Sequence, residues 1–188
     1  MPHKLYLHPT SPSQQHLDTR LIEDKLLNLE LIEQRFQCQN QTHFYAGNRF
    51  VELVIFLGCS PAIEFTPNST EQVFNGEGFC HIHLPPPRHQ PILIGGDTNQ
   101  PPRCPTCRTN IDDWQHLINA NDIINTVHHC KKCNQQHTID QLKWRKTAGI
   151  AQQFIEIWGI YPNEAVPSEE LLSALRQLSQ NEWDFFYV

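Results

Sequence analysis

Hydrophobic and polar positions along this chain switch period several times, and each switch predicts an element. "KLYLH" (residues 4 to 8) reads as a short first strand. "TSPSQQHLDTRLIEDKLL" reads as a helix. Ser11 can cap it, Pro12 fits its first turn, and Leu17, Leu21, Ile22 and Leu26 share one face. "NLELIEQRFQ" fits helix or strand, with the second half favouring a strand. In "GNRFVELVIFLG", Gly47-Asn48 reads as a tight turn. Phe50 to Leu57 is then β-branched and aromatic, and apolar on both alternating faces except at Glu52. That pattern predicts a central strand covered on both sides. "PAIEFTP" would continue the sheet after a break at Gly58. "GFCHIHLPPP" is a short strand stopped by prolines, and "QPILIGG" an edge strand. Further on, "QQFIEIWGIYP" is a strand with Phe154, Ile155, Ile157 and Ile160 as its apolar positions. "VPSEELLSALRQLSQ" is a helix capped by Ser168, with Glu169 and Glu170 in its first turn and Leu171, Leu172, Leu175 and Leu178 as its buried stripe. "EWDFFYV" closes the chain as a strand, with Phe185, Phe186 and Tyr187 as core and edge residues.

These elements imply an α+β fold: a mixed or antiparallel sheet with two main helices, for which a ferredoxin-like arrangement is one candidate. Residues 85 to 102 hold Pro85, Pro86, Pro87, Pro91, Pro101 and Pro102, the composition of a stiff connector. The connector divides the chain into a sandwich domain (1–102 and 147–188) and an insertion (103–146).

Composition narrows the class. The chain has 188 residues, 39 % of them hydrophobic and 18 % charged, which suits one domain carrying a small insert. No apolar run is long enough to span a bilayer, and "MPHKLYLHPTSPSQQ" lacks a signal-peptide core. The expectation is a cytoplasmic protein, where seven cysteines serve as thiols or metal ligands rather than as a disulfide framework. The net charge of −6 argues against broad attraction to nucleic acid, but it is unevenly spread. Residues 103 to 146 carry seven Lys and Arg against four Asp and Glu, a net +3. The rest of the chain carries seven against sixteen, a net −9.

Four of the cysteines form two Cys-x-x-Cys pairs, Cys104 with Cys107 and Cys130 with Cys133, separated by 22 residues. Such a loop points two sulfurs at one point, and two loops complete a tetrahedron around Zn²⁺. Pro105 suits the first turn, and Asn134 can accept positive φ after the second. Residues 103 to 146 resemble the zinc-ribbon family, with a gap slightly longer than usual that leaves "IDDWQHLINANDII" as extra structure between the knuckles. Redox dithiols and iron are the alternatives for the same four thiols. Four thiolates leave no position for water, so the expected role of the metal is structural. His128, His129 and His137 lie close in sequence, as exposed or outer residues or as substitutes for a thiolate. A ribbon has little core, so one of Trp114 and Trp144 is expected to cover the metal, the other being free for a partner.

Other residues carry weaker signals. Cys59 follows a glycine at a strand end, and His81 or His83 could serve it as a base with Glu64 or Glu77 as orienting group. Packing is the plainer role for a lone cysteine. A second metal site from Cys59, Cys80, His81 and His83 is hindered because Cys80 and His81 are adjacent and point to opposite strand faces. Lys143, Arg145 and Lys146 surround Trp144, a pattern that suits nucleic acid or an acidic partner. The functional expectation is a zinc-binding adaptor that contacts another protein. The alternatives are a nucleic-acid binder using the ribbon and a cysteine enzyme centred on Cys59.

Overall fold

Alternation in "KLYLHP" makes β1 (Lys4–Pro9) a two-faced strand: Leu5 and Leu7 turn to one side, Lys4, Tyr6 and His8 to the other. A computed structural model describes residues 3–12, 17–58, 63–95, 100–118 and 122–188. After β1 come α1 (Thr19–Asn28), β2 (Ile32–Cys38), β3 (Gln41–Ala46), α2 (Phe50–Leu53), β4 (Val54–Phe56), α3 (Thr70–Asn75), β5 (His81–His83) and β6 (Ile92–Gly95). The cysteine-rich segment holds α4 (Gln115–Ile118), β7 (Val127–His129), β8 (Gln136–Thr138) and a 3-10 turn (Ile139–Gln141). The chain then returns with β9 (Ala148–Ala151), β10 (Ile155–Trp158), β11 (Ala165–Pro167), α5 (Glu169–Ser179) and β12 (Trp183–Tyr187).

Six strands form the main sheet in the order β12-β1-β10-β5-β3-β2, every neighbour antiparallel. The fold is mixed α and β with mostly antiparallel pairing. This six-stranded order does not establish a ferredoxin-like arrangement. Of the five described helices, α1 and α5 are the longest, with 10 and 11 residues. One face of the sheet presents Leu5, Leu7, Phe44, Ile82, Ile155 and Ile157, and packs against Ile22 and Leu26 of α1 and Leu171 and Leu175 of α5. Ser168 caps α5 by accepting from the Leu171 N–H at 3.2 Å.

Three expectations need correction. The segment from Phe50 to Leu57 is not a central strand: it is the short helix α2 followed by β4, which pairs only with β11. Phe50, Leu53 and Val54 are buried at helical spacing, while Val51, Ile55 and Leu57 are 53, 45 and 60 % exposed, so the apolar run has one buried side rather than two. The first helix is capped by Asp18, not Ser11. The Asp18 carboxylate accepts from the Arg20 N–H at 2.9 Å, and Leu21 faces outward. Residues 63 to 67 of "PAIEFTP" form no strand. The strand expected in "QPILIGG" is β6, which pairs with β9.

The insertion has an apolar cluster of its own, built from Ile111, Trp114, Leu117, Ile123, Ile139, Leu142 and Trp144 and completed by Ala148 and Ile150 of β9. The cluster therefore runs past residue 146. The Tyr187 N–H also donates to the Lys146 carbonyl at 2.9 Å, which ties the end of the insertion to β12. Gly149 lies flush on the sheet. A Cβ there would meet Phe186 at 2.4 Å and His8 Nε2 at 2.8 Å, and Phe186 is itself fully buried and stacked on Tyr6. Gly149→Ala is therefore expected to overpack this contact and cost about 1–3 kcal/mol, read from the urea midpoint at unchanged m-value.

Candidate metal centre

The two Cys-x-x-Cys segments fold as copies of one another. In the first, the Arg108 N–H donates to the Cys104 carbonyl at 2.9 Å, and the Cys104 N–H donates to the Thr109 carbonyl at 2.9 Å. In the second, the Asn134 N–H donates to the Cys130 carbonyl at 2.8 Å, and the Cys130 N–H donates to the Gln135 carbonyl at 2.9 Å. Arg108 and Asn134 occupy the same place and share left-handed backbone, with φ of 59° and 56°. The β7–β8 hairpin and a pair of bridges from Arg103 to Asn110 and Lys143 hold the two loops face to face.

All four sulfurs lie within 4.8 Å of one another. Cys104 Sγ is 3.7 Å from Cys133 Sγ, and Cys107 Sγ is 3.6 Å from Cys130 Sγ. A tetrahedron with metal–sulfur bonds of about 2.3 Å has edges of about 3.8 Å, so these two edges already match those of a tetrahedral site. Backbone N–H groups of Cys133 and Lys132 bring the Cys130 thiol down to about 6. For Cys133 the Gln135 N–H acts in the same direction, but burial and the three neighbouring sulfurs carry it up to about 12. A cation joining the sulfurs would favour the thiolate form of Cys133 over its thiol.

Around this centre the sequence candidates separate. His137 Nε2 is 3.5 Å from Cys104 Sγ and 3.3 Å from Thr106 Oγ1, the place of an outer hydrogen-bonding residue. His128 and His129 belong to β7, and His128 is paired across the hairpin with His137. Trp114 and Trp144 meet edge to face at 6.0 Å and are both buried, so neither is displayed to a partner. Trp144 donates its ring N–H to the Ile139 carbonyl at 3.1 Å. Its neighbours are partly engaged: Lys146 pairs with Asp184 and covers the Phe185 ring at 3.9 Å, and Arg145 donates to the Pro101 carbonyl at 2.8 Å. Lys143 is exposed.

Cys59 lies outside the described residues. Cys80 is buried in the helix-side core, away from His81 and His83, so it does not join them in a site. His81 and His83 instead stand on the opposite face of the sheet beside His43, which was not singled out from the sequence. His43 stacks on His83 with ring centres 4.4 Å apart and lies 5.0 Å from His81. Cys38, at the end of β2, borders the same group. The β2–β3 hairpin creates this neighbourhood through Gln39 and Asn40, whose positive φ values close a two-residue turn and set Phe36 opposite His43. "CQNQ" was the available signal, a weaker one than Asn-Gly. Burial, reinforced by the adjacent histidines, lowers His43 to about 3, and burial lowers His81 to about 4, so both rings are neutral at pH 7.

Further along this face Glu156 receives Lys4 Nζ at 3.0 Å and Trp158 Nε1 at 2.9 Å, with His83 Nδ1 at 3.4 Å. Burial opposes ionisation of Glu156, yet these partners hold its carboxyl at about 2, against an ordinary 4.5. A carboxyl depressed on folding adds stability above its unfolded value, and that stability is lost as pH falls from about 4.5 toward 2. Glu156→Gln should therefore be less stable at pH 7 and show a shallower loss over that acid range in urea titrations. At the knuckles, Arg108→Gly removes a strained left-handed side chain and should raise stability by up to about 1 kcal/mol, with a smaller gain for Asn134→Gly because asparagine tolerates that backbone. Compared with known protein families, with curated proteins and with solved structures, the chain matches none.

Proposed function

We propose that Cys104, Cys107, Cys130 and Cys133 hold one structural Zn²⁺ in a zinc ribbon, and that the ribbon docks this protein onto another. The observation that carries the metal reading is the pair of matching knuckles, whose sulfurs stand 3.6 and 3.7 Å apart across the two loops. Bound there, the ion would act as a cross-link, because four thiolates complete its coordination and leave no place for substrate. The residues that would hold it come from two loops joined by a segment that contributes to one small apolar cluster. That supports a role in folding the segment rather than in turnover.

Docking is supported by the distribution of charge. The apolar side of the insertion is consumed by its own cluster and by β9, while Arg108, Lys131 and Lys132 are exposed on the knuckles, Lys131 with Asp113 beside it at 3.0 Å. Those cations suit an acidic protein segment. The nucleic-acid alternative rests on Lys143, Trp144, Arg145 and Lys146. It has less support, because the one ring among them is buried.

Plasma mass spectrometry on protein purified without added metal should find that Cys130→Ser carries one zinc fewer per chain than wild type. Removal of that zinc by a chelator should shift the Trp114 and Trp144 fluorescence to the red as their cluster opens. Equal zinc in both proteins would refute the ribbon. For docking, Arg108→Glu/Lys131→Glu/Lys132→Glu should keep its zinc yet lose proteins that co-purify with wild type; an unchanged set would refute docking through the knuckles.

A further inference from the structure

The outer face of the main sheet carries a second set of ligand atoms, unrelated to the ribbon. Cys38 Sγ and one ring nitrogen each of His43 and His81 lie within 4.8 Å of one another. The three residues come from β2, β3 and β5, adjacent strands of the sheet, and are 1, 1 and 0 % exposed. Both nitrogens of His43 and Nε2 of His81 are buried without a hydrogen-bond partner among the described residues. Buried polar atoms in folded proteins are almost always paired, and an imidazole with both nitrogens empty in a sealed interior needs a ligand to explain it.

His81 is set up for that ligand. Its Nδ1 lies 3.3 Å from the Phe79 carbonyl, which places the ring proton there and leaves the Nε2 lone pair facing the group. His43 is held by stacking on His83, and His83 is in turn anchored at Glu156. The loop after α3 closes over the top. Gly76, at φ 71°, passes so near that a Cβ would sit 2.8 Å from Cys38 Sγ and 3.2 Å from His81 Cε1.

We propose that Cys38 Sγ, His43 and His81 form a second transition-metal site, for Zn²⁺, buried in the main sheet. One thiolate with two neutral imidazoles is a donor set that selects zinc-like ions over magnesium or calcium. Ligand atoms about 2.0–2.3 Å from a common ion lie roughly 3.3–3.7 Å apart, so from a spread of at most 4.8 Å about 1.5 Å of closure at most, shared among three side chains, seats it. Formation of the bond from sulfur releases the Cys38 proton to solvent.

The test counts metal on the full chain and asks which residues hold it. After equilibration with Zn²⁺ and removal of excess, wild type should retain two equivalents. Cys38→Ala and His43→Phe should each retain one, and Cys130→Ser should lose the other. In Cys130→Ser/Cys133→Ser, bound Co²⁺ should show a thiolate charge-transfer band that disappears when Cys38→Ala is added. Wild type itself supplies a reading free of folding artefacts: the second equivalent of Zn²⁺ should shift the ring ¹⁵N signals of His43 and His81. A single equivalent, lost with Cys130→Ser and kept in Cys38→Ala, would overturn the second site while leaving the ribbon standing. Unmoved ring signals in wild type would overturn it as well.

Discussion

The position of β1 between β10 and β12 is the constraint on which the rest of this structure depends. Tyr6 stands opposite Glu156 on one side and Phe186 on the other, so the pleat sends Leu5 and Leu7 to the helices and Lys4, Tyr6 and His8 to the opposite face. A slip of one residue would exchange the two sets. It would place a lysine and a histidine under α1 and α5 and strip Glu156 of its cation. The hydrophobic face thus specifies the register, and the register assembles the polar face: Glu156 beside His83, His83 opposite His43, and Tyr45 opposite His81. The buried histidines arise from long-range pairing that the apolar core stabilises.

The insertion follows a different physical rule. Its core is a handful of side chains around the Trp114–Trp144 pair, and it borrows Ala148 and Ile150 from β9. Such a cluster offsets little of the entropy of ordering some forty residues. What fixes the knuckles is the local hydrogen bonding of each loop, repeated in both, and the convergence of four sulfurs.

This contrast explains what was legible in the sequence. Each Cys-x-x-Cys loop is a local object, and the turn preference of Asn134 could be read from one residue; its equivalent, Arg108, takes the same backbone against its own preference and gave no signal. The strands at both ends of the chain and the capped helix from Glu169 were equally local patterns. The failures were non-local. Phe50 to Leu57 looks apolar on both faces, but whether both are covered depends on what the fold brings near, and it covers one. Ser11 is a sound cap for a helix that instead begins after Asp18, where the Leu17 N–H donates to Gln153 Oε1 and the Leu17 carbonyl accepts from Gln153 Nε2. The Cys38–His43–His81 group spans three strands, and only knowledge of their pairing could reveal it.

The two sulfur-bearing groups would accordingly couple to stability in different ways. In the insertion, an ion would organise residues that lack a sufficient core, so its binding free energy would be largely folding free energy. On the sheet, Cys38, His43 and His81 are positioned by strands that the helix-packed core already holds, and an ion there would add to an existing native state by mass action. Loss of metal from the first would loosen a local unit around Trp114 and Trp144. Loss from the second would leave the sheet paired but return two buried imidazoles to an unsatisfied state, a penalty set by their burial under Gly76 and borne mainly by β2, β3 and β5.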